Sequence, residues 1–224
     1  MTSLCYEFDI SLDKDKPENG YVVKSTPVGD ENIENMKLFF KSIYMSRKFS
    51  CFPFAFAFRW NHENGELIKC VKNYDCSLKE KLINLKNEDG ELNAIGIQTC
   101  YVLIKAIEIL HSYDYLHTYL NPENVLFFEN GEKTFPVVDF HMEIRDDGNQ
   151  YIAPECKDDP AKRKTKEADI FSLGRLLNMI LGESTWEHKE KLKDFFERMT
   201  DSEPHNRPDI EEVMECFESA FPKE

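Results

Sequence analysis

The sequence has no excess of positive charge. Its 224 residues carry 28 Lys and Arg against 42 Asp and Glu, a formal net charge of −14. That balance disfavours a binder that works by neutralising nucleic-acid phosphates, and equally one that docks on an anionic membrane. No apolar run approaches the roughly 18 residues of a bilayer-spanning helix, so membrane insertion is not expected. Met1 to Glu7 show no basic stretch followed by an apolar one, so no secretory signal is expected. The seven cysteines are odd in number and include no Cys-x-x-Cys pair. A structural metal is therefore not expected, whereas reduced thiols are, in the cytoplasm or nucleus. The nine glycines never stand one residue apart, so the chain has no glycine-rich loop to cradle phosphates.

What is present is apolar mass. Hydrophobic residues make up 41%, with 17 Phe, 9 Tyr and 2 Trp, enough for a sizeable core. Tyr6–Ile10 and Tyr21–Lys24 flank Asn19-Gly20 and predict a hairpin. Asp30 predicts a helix cap, with Ile33, Met36, Phe40 and Ile43 at helical spacing up to about Arg47. Phe54, Phe56 and Phe58 alternate within Phe52–Trp60 and predict a strand whose aromatic face packs in the core, the other reading being a partner surface. Glu66–Val71 returns the chain. Helices are predicted over Ser77–Leu85, Asn93–Tyr113, Glu167–Leu181, residues 187–200 and from Ile210 towards Phe221. Between them Val125–Phe128 and Thr134–Val138 read as a hairpin. The organisation is a strand-rich half, 1–72, followed by a mainly helical half, 73–224. The run Lys162-Arg163-Lys164-Thr165-Lys166 reads as a solvated loop rather than a nuclear-import signal.

Several ordered motifs then carry a resemblance. His117-Thr118-Tyr119-Leu120-Asn121-Pro122-Glu123-Asn124-Val125-Leu126 resembles the catalytic loop of protein kinases. Asp139-Phe140-His141 resembles their Asp-Phe-Gly, and Ala153-Pro154-Glu155 matches Ala-Pro-Glu. Asp169-Ile170-Phe171-Ser172-Leu173-Gly174 is similar to the start of the large buried helix. Arg207-Pro208 matches the late arginine, and Val22-Val23-Lys24 resembles the strand with the nucleotide lysine. Six motifs in family order form a far stronger signal than any one. The resemblance implies an α+β fold, bilobal and protein kinase-like, with a reduced N-lobe at 1–72 and a helical C-lobe at 73–224. It also implies structural roles for His117, Phe140, Glu155, Asp169 and Arg207, with Glu155 paired to Arg207 and Asp169 holding the loop backbone.

The chemical positions depart from the family. Tyr119 stands where a carboxylate orients the acceptor hydroxyl, and a phenol with a pKa near 10 is a poor base at neutral pH. Asn121 replaces the lysine that neutralises the transferring phosphoryl, and His141 replaces a glycine. Ser42 lies near the place of the carboxylate that pairs with the nucleotide lysine. The resemblance implies that a nucleotide, if held, meets Lys24, Val22, Val71 and Leu126, with magnesium on Asn124 and Asp139. Lys24 has two other readings: an ion pair with Asp139 across an empty cleft, or a solvated edge lysine. From Asp139 to Glu155 is 17 residues, with no Ser, Thr or Tyr between Phe140 and Gln150. Phosphorylation there has no acceptor to order the segment, and Tyr151 is the first hydroxyl.

Leu67–Leu78 is similar to the hinge of ribonuclease L-type kinase–nuclease proteins, and Glu203–Pro208 to necroptosis-type kinase-like domains. The resemblance as a whole implies a pseudokinase. Such a chain would act by binding a protein, a kinase or kinase-pathway component, as a regulator or a viral or parasite decoy. ATP and magnesium are its only candidate cofactors. The alternatives are a divergent active Ser/Thr kinase and a nucleotide-gated binding switch.

Overall fold

A computed structural model describes residues 21–27, 33–61, 65–131, 133–139, 150–157, 165–182 and 189–221. For 21–27, 33–35, 38, 56, 57, 59 and 189–191 it describes the backbone alone. The expected strand Tyr6–Ile10, the Asp30 cap, Phe140 and His141 lie outside the described residues. The architecture mixes helices with two small antiparallel sheets, as an α+β chain does. Met1–Asn73 and Tyr74–Glu224 form two compact units.

In the first unit, β1 (Tyr21–Pro27), β2 (Ala55–Asn61) and β3 (Glu66–Lys72) form a sheet in the order β1-β3-β2. α1 (Ile33–Lys48) places Phe39 and Ile43, one turn apart, into a core with Ala55, Leu67 and Val71. Arg47 and Lys48 in its last turn suit the negative end of the helix dipole. The aromatic alternation around Phe56 does not end in the core. Phe54 and Phe58 are both exposed, while Ala55 is buried. A register shift between Ala55 and Ala57 breaks the period of two, so Phe54 and Phe58 do not share a face. Phe58 is the register partner of the buried Lys69 and stays exposed because β2 is an edge strand of the described sheet.

In the second unit, β4 (Cys76–Ser77), β5 (Val125–Asn130) and β6 (Lys133–Val138) form a sheet in that order. The predicted helix over Ser77–Leu85 is divided into α2 (Leu78–Lys81), capped by a Ser77/Glu80 box, and a 3-10 turn at Leu82–Leu85. α3 (Ala94–Ser112) is long and apolar enough, by length and composition, to cross a membrane. Its Cys100, Leu103, Ile107 and Leu110 are fully buried, and it packs against β6, α4 (Lys166–Leu181) and α6 (Ile210–Ala220). That is the behaviour of a core helix. α5 (Lys189–Met199) lies against α4 at Gly174, where a Cβ would come within 2.7 Å of Met199 Cβ. A side chain there would force the helices apart. α6 starts at a reciprocal Asp209/Glu212 capping box.

Candidate functional site

The second unit gathers most of the predicted site residues around residues 117–124. Asp169 sits in the first turn of α4, whose start is set by Thr165 accepting from the Ala168 N–H. Its carboxylate accepts from the backbone N–H of His117 and of Thr118, both at 2.8 Å, and lies 3.1 Å from His111 Nε2. The side chain is buried, so these bonds offset the cost of removing a charge from water. They also hold Thr118 at a φ of 64°, a left-handed conformation that a β-branched residue avoids. His117 is buried as well, and burial pushes its imidazole below the ordinary range, against the pull of the Asp169 and Asp139 carboxylates.

Tyr119 is buried. Its backbone carbonyl accepts from Asn124 Nδ2 at 2.8 Å and from Asn121 Nδ2 at 3.4 Å. Asn121 is turned into the loop: its Oδ1 accepts from the N–H of Glu123 and of Asn124, capping the 3-10 turn Pro122–Asn124. Both ends of the Asn121 amide are therefore committed to local structure, and neither is offered to a ligand. Asn124 and Asp139 come together because they close the β5–β6 ladder. Val125 pairs with Val138, and the Asp139 N–H donates to the Asn124 carbonyl at 2.7 Å. That contact joins the two backbones; the side chains are a carboxylate and an amide, donor types that suit magnesium with phosphate oxygens. Among the described residues no group of three or more His, Cys, Asp or Glu side chains is arranged for a metal.

Glu155 and Arg207 form a bidentate pair, with Nη1–Oε1 at 2.7 Å and Nη2–Oε2 at 2.8 Å. Arg207 also donates to the carbonyls of Glu167 and Asp201, both at 2.9 Å, and stacks on Phe171. Tyr151 is fastened to α4. Its carbonyl accepts from Ser172 Oγ at 2.7 Å, and its hydroxyl lies 3.1 Å from Met179 Sδ. Between the loop and the 151–153 stretch, a cavity of about 10 Å³ remains, bordered by Tyr119, Tyr151, Asp169 and Ser172. It has room for about one water. Leu126 lies on β5 opposite Val137.

In the first unit, Val22 is the register partner of Val71 and Lys24 that of Lys69. Val71 lies in the core. Ser42 is buried; it donates to the Phe39 carbonyl at 2.7 Å and accepts from Lys69 Nζ at 3.4 Å. Lys69, only 3% exposed, is a residue the sequence reading missed. The signal was there: Leu67, Lys69 and Val71 alternate, which puts the lysine on the inward face of a strand. Burial raises the thiol pKa of Cys70, Cys76 and Cys216, and pushes that of Cys100 up to about 12.

No family model matches the chain. Two curated proteins are distantly similar. The dual specificity protein kinase zak2 of Dictyostelium discoideum is 27% identical over 141 residues, covering 50% of this chain and 22% of that protein. Calcium-dependent protein kinase 10 of Oryza sativa subsp. japonica is 22% identical over 171 residues, covering 71% of this chain and 27% of that protein. The chain thus spans about a quarter of the length of the relatives it matches. The relationship is a distant one to protein kinases.

Proposed function

We propose that this chain is a two-lobed kinase-like domain without phosphoryl-transfer activity, acting as a protein-binding regulator or decoy in kinase signalling. The observation that carries this reading is the state of the loop 117–124. The position of the acceptor-orienting carboxylate holds the buried phenol Tyr119. The position of the phosphoryl-neutralising lysine holds Asn121, whose amide is spent on the loop itself. Phosphoryl transfer depends on positioning and charge stabilisation, and losing a positioned base alone forfeits about 10²–10⁴ in rate.

What persists is the framework: Asp169 on the loop backbone and Glu155 on Arg207. A retained framework with altered chemistry fits a domain kept for its surface. By the same reading the partner is a kinase or another component of its pathway, met in the cytoplasm or nucleus, where the thiols stay reduced. The test is direct. The purified chain, given labelled ATP, magnesium and generic protein substrates, transfers no more phosphate than its Asp139→Ala variant. Turnover that Asp139→Ala abolishes would overturn the reading in favour of a divergent active Ser/Thr kinase.

One observation favours a second reading, a nucleotide-gated binding switch. Asn124 and Asp139 are neighbours across the closing hydrogen bond of the β5–β6 ladder, so a magnesium–phosphate group has two oxygen donors. Asn124 and Asp139 would hold the magnesium, which would supply charge neutralisation to a bound phosphate. At 100 times its dissociation constant, ATP would stabilise the fold by about 2.7 kcal/mol. An unchanged melting temperature at millimolar ATP removes the switch and leaves the first reading standing.

A further inference from the structure

The β5–β6 hairpin turns at the dipeptide Asn130-Gly131. Asn130 and Lys133 are the last register partners of the ladder, so residues 131 and 132 make the turn. Gly131 has a φ of 62°, and both it and Asn130 are exposed. A Cβ built on Gly131 would meet nothing within 4 Å. Three conditions for attack of a backbone nitrogen on the preceding side chain therefore coincide. The Asn130 amide stands in water. The next residue has no Cβ to crowd a five-membered ring. Gly131 also lies beyond the last ladder pair, so pairing between the strands makes no use of its N–H. Asn93, Asn121 and Asn124 differ on every count: their amides hold helix or loop backbone, and Ala94, Pro122 and Val125 follow them.

We propose that Asn130 is a self-modifying site at which the hairpin tip converts to aspartate and isoaspartate. The Gly131 nitrogen gives up its proton to solvent base and attacks Asn130 Cγ. The Cγ–Nδ2 bond breaks, ammonia leaves, and a cyclic imide closes. Water then opens the ring. Cleavage at Cγ restores the ordinary backbone, with aspartate at position 130. Cleavage at the main-chain carbonyl carbon routes the chain through Cγ as isoaspartate, which adds one methylene to its path. Nothing is oxidised or reduced, and water is the sole co-reactant. The two products act oppositely on the hairpin. Aspartate sets a carboxylate opposite Lys133, an attractive cross-strand pair in place of a neutral partner. Isoaspartate lengthens the entry to a two-residue turn, and turn length fixes the register of the strands it joins. The pairs next to the turn, Asn130–Lys133 and Glu129–Thr134, are the first that it loosens. The tip thus records the age of the chain in its charge and its pairing.

The site needs neither nucleotide nor partner, so its test is separate from that of phosphoryl transfer. The full chain is held in mildly alkaline and in mildly acidic buffer, then digested and mapped by mass spectrometry. The peptide containing Asn130 gains one dalton, faster in the alkaline buffer, where more of the attacking nitrogen is deprotonated. Fragmentation places the gain on residue 130 ahead of Asn121 and Asn124. The product resolves into two species. One of them, the isoaspartate, accepts a labelled methyl group from S-adenosylmethionine through an isoaspartate methyltransferase. Asn130→Gln, whose longer side chain would have to close a six-membered ring, loses the gain, and its unchanged circular dichroism melt shows that it stays folded. Amide exchange at residues 129, 130, 133 and 134 is faster in the isoaspartate species than in the fresh chain. Four results overturn the inference. The native chain gains nothing while the same chain in urea does, which would mean that the ladder forbids ring closure. The gain falls first on Asn121 or Asn124. It persists in Asn130→Gln. Or the isoaspartate species exchanges its amides no faster than the fresh chain.

Discussion

Two regions of the second unit treat charge in opposite ways. At the Glu155–Arg207 anchor, a carboxylate and a guanidinium are kept, paired at two points, and joined to two backbone carbonyls and an aromatic ring. In the loop 117–124, the buried Tyr119 brings a phenol and Asn121 an amide, neither of them charged. The amide has been absorbed into a cap. The anchor can lose a partner only by leaving a buried charge exposed to a medium that cannot solvate it. The loop carries no charge at Tyr119 or Asn121, so no such penalty attaches to those two side chains. The difference teaches that the anchor is held by a desolvated ion pair, whereas the loop is held by neutral caps and by the one carboxylate of Asp169.

Breaking the anchor is the largest expected effect. Arg207→Ala removes the guanidinium that pairs with Glu155 at two points and donates to two carbonyls. It should cost about 3–5 kcal/mol, read as a lower midpoint in urea unfolding. A loss below about 1 kcal/mol, the level of an exposed pair, would erase the contrast. Next comes the charge that holds the loop itself. Asp169→Asn keeps the shape but removes the charge from two backbone hydrogen bonds and offers an N–H where an acceptor is needed. A cost of about 1.5–3 kcal/mol is expected, together with faster amide exchange at His117 and Thr118.

The anchor was legible in the sequence, and the detail of the loop was only partly so. Glu155, Asp169 and Arg207 stood in motifs with fixed order, and the resemblance those motifs carry implied their partners. α3 and α4 were legible to within a residue or so, because their apolar stripes are long. The fate of Asn121 was not, since an amide reads equally as a ligand or as a cap until the following turn is known. Phe58 was misjudged for a different reason: its side chain stays exposed on an edge strand, and a strand's place in its sheet is not written in the strand itself. Lys69 was overlooked because lysine is taken as a surface residue unless the strand period is counted through it.

A third measurement sharpens the comparison through pH. His117 belongs to the loop, and burial lowers its pKa from the ordinary 6.5. The unfolded chain therefore binds a proton near pH 6.5 that the folded chain still refuses. Stability is retained above that pH and falls as the pH drops from about 6.5 towards the folded value, by at most about 1.4 kcal/mol per pH unit from this group. His117→Gln cannot titrate, so its urea midpoint should decline less between pH 7 and pH 5.5. Identical slopes for both chains would mean that the imidazole takes up its proton as readily in the folded loop as in water.

The smallest effect tests the claim that Asn121 now serves structure. If its amide acts as a cap on Pro122–Asn124, Asn121→Ala should cost about 1 kcal/mol, and Asn121→Ser, which still offers an oxygen to the Glu123 and Asn124 N–H groups, should recover most of it. A lysine at this position cannot accept those bonds, so Asn121→Lys should cost as much as the alanine. The loop's present stability and the ammonium that phosphoryl transfer wants are then mutually exclusive at one site. An Asn121→Lys chain as stable as the original would show the opposite: the position had been left open for chemistry, and the asymmetry between anchor and loop would rest on Tyr119 alone.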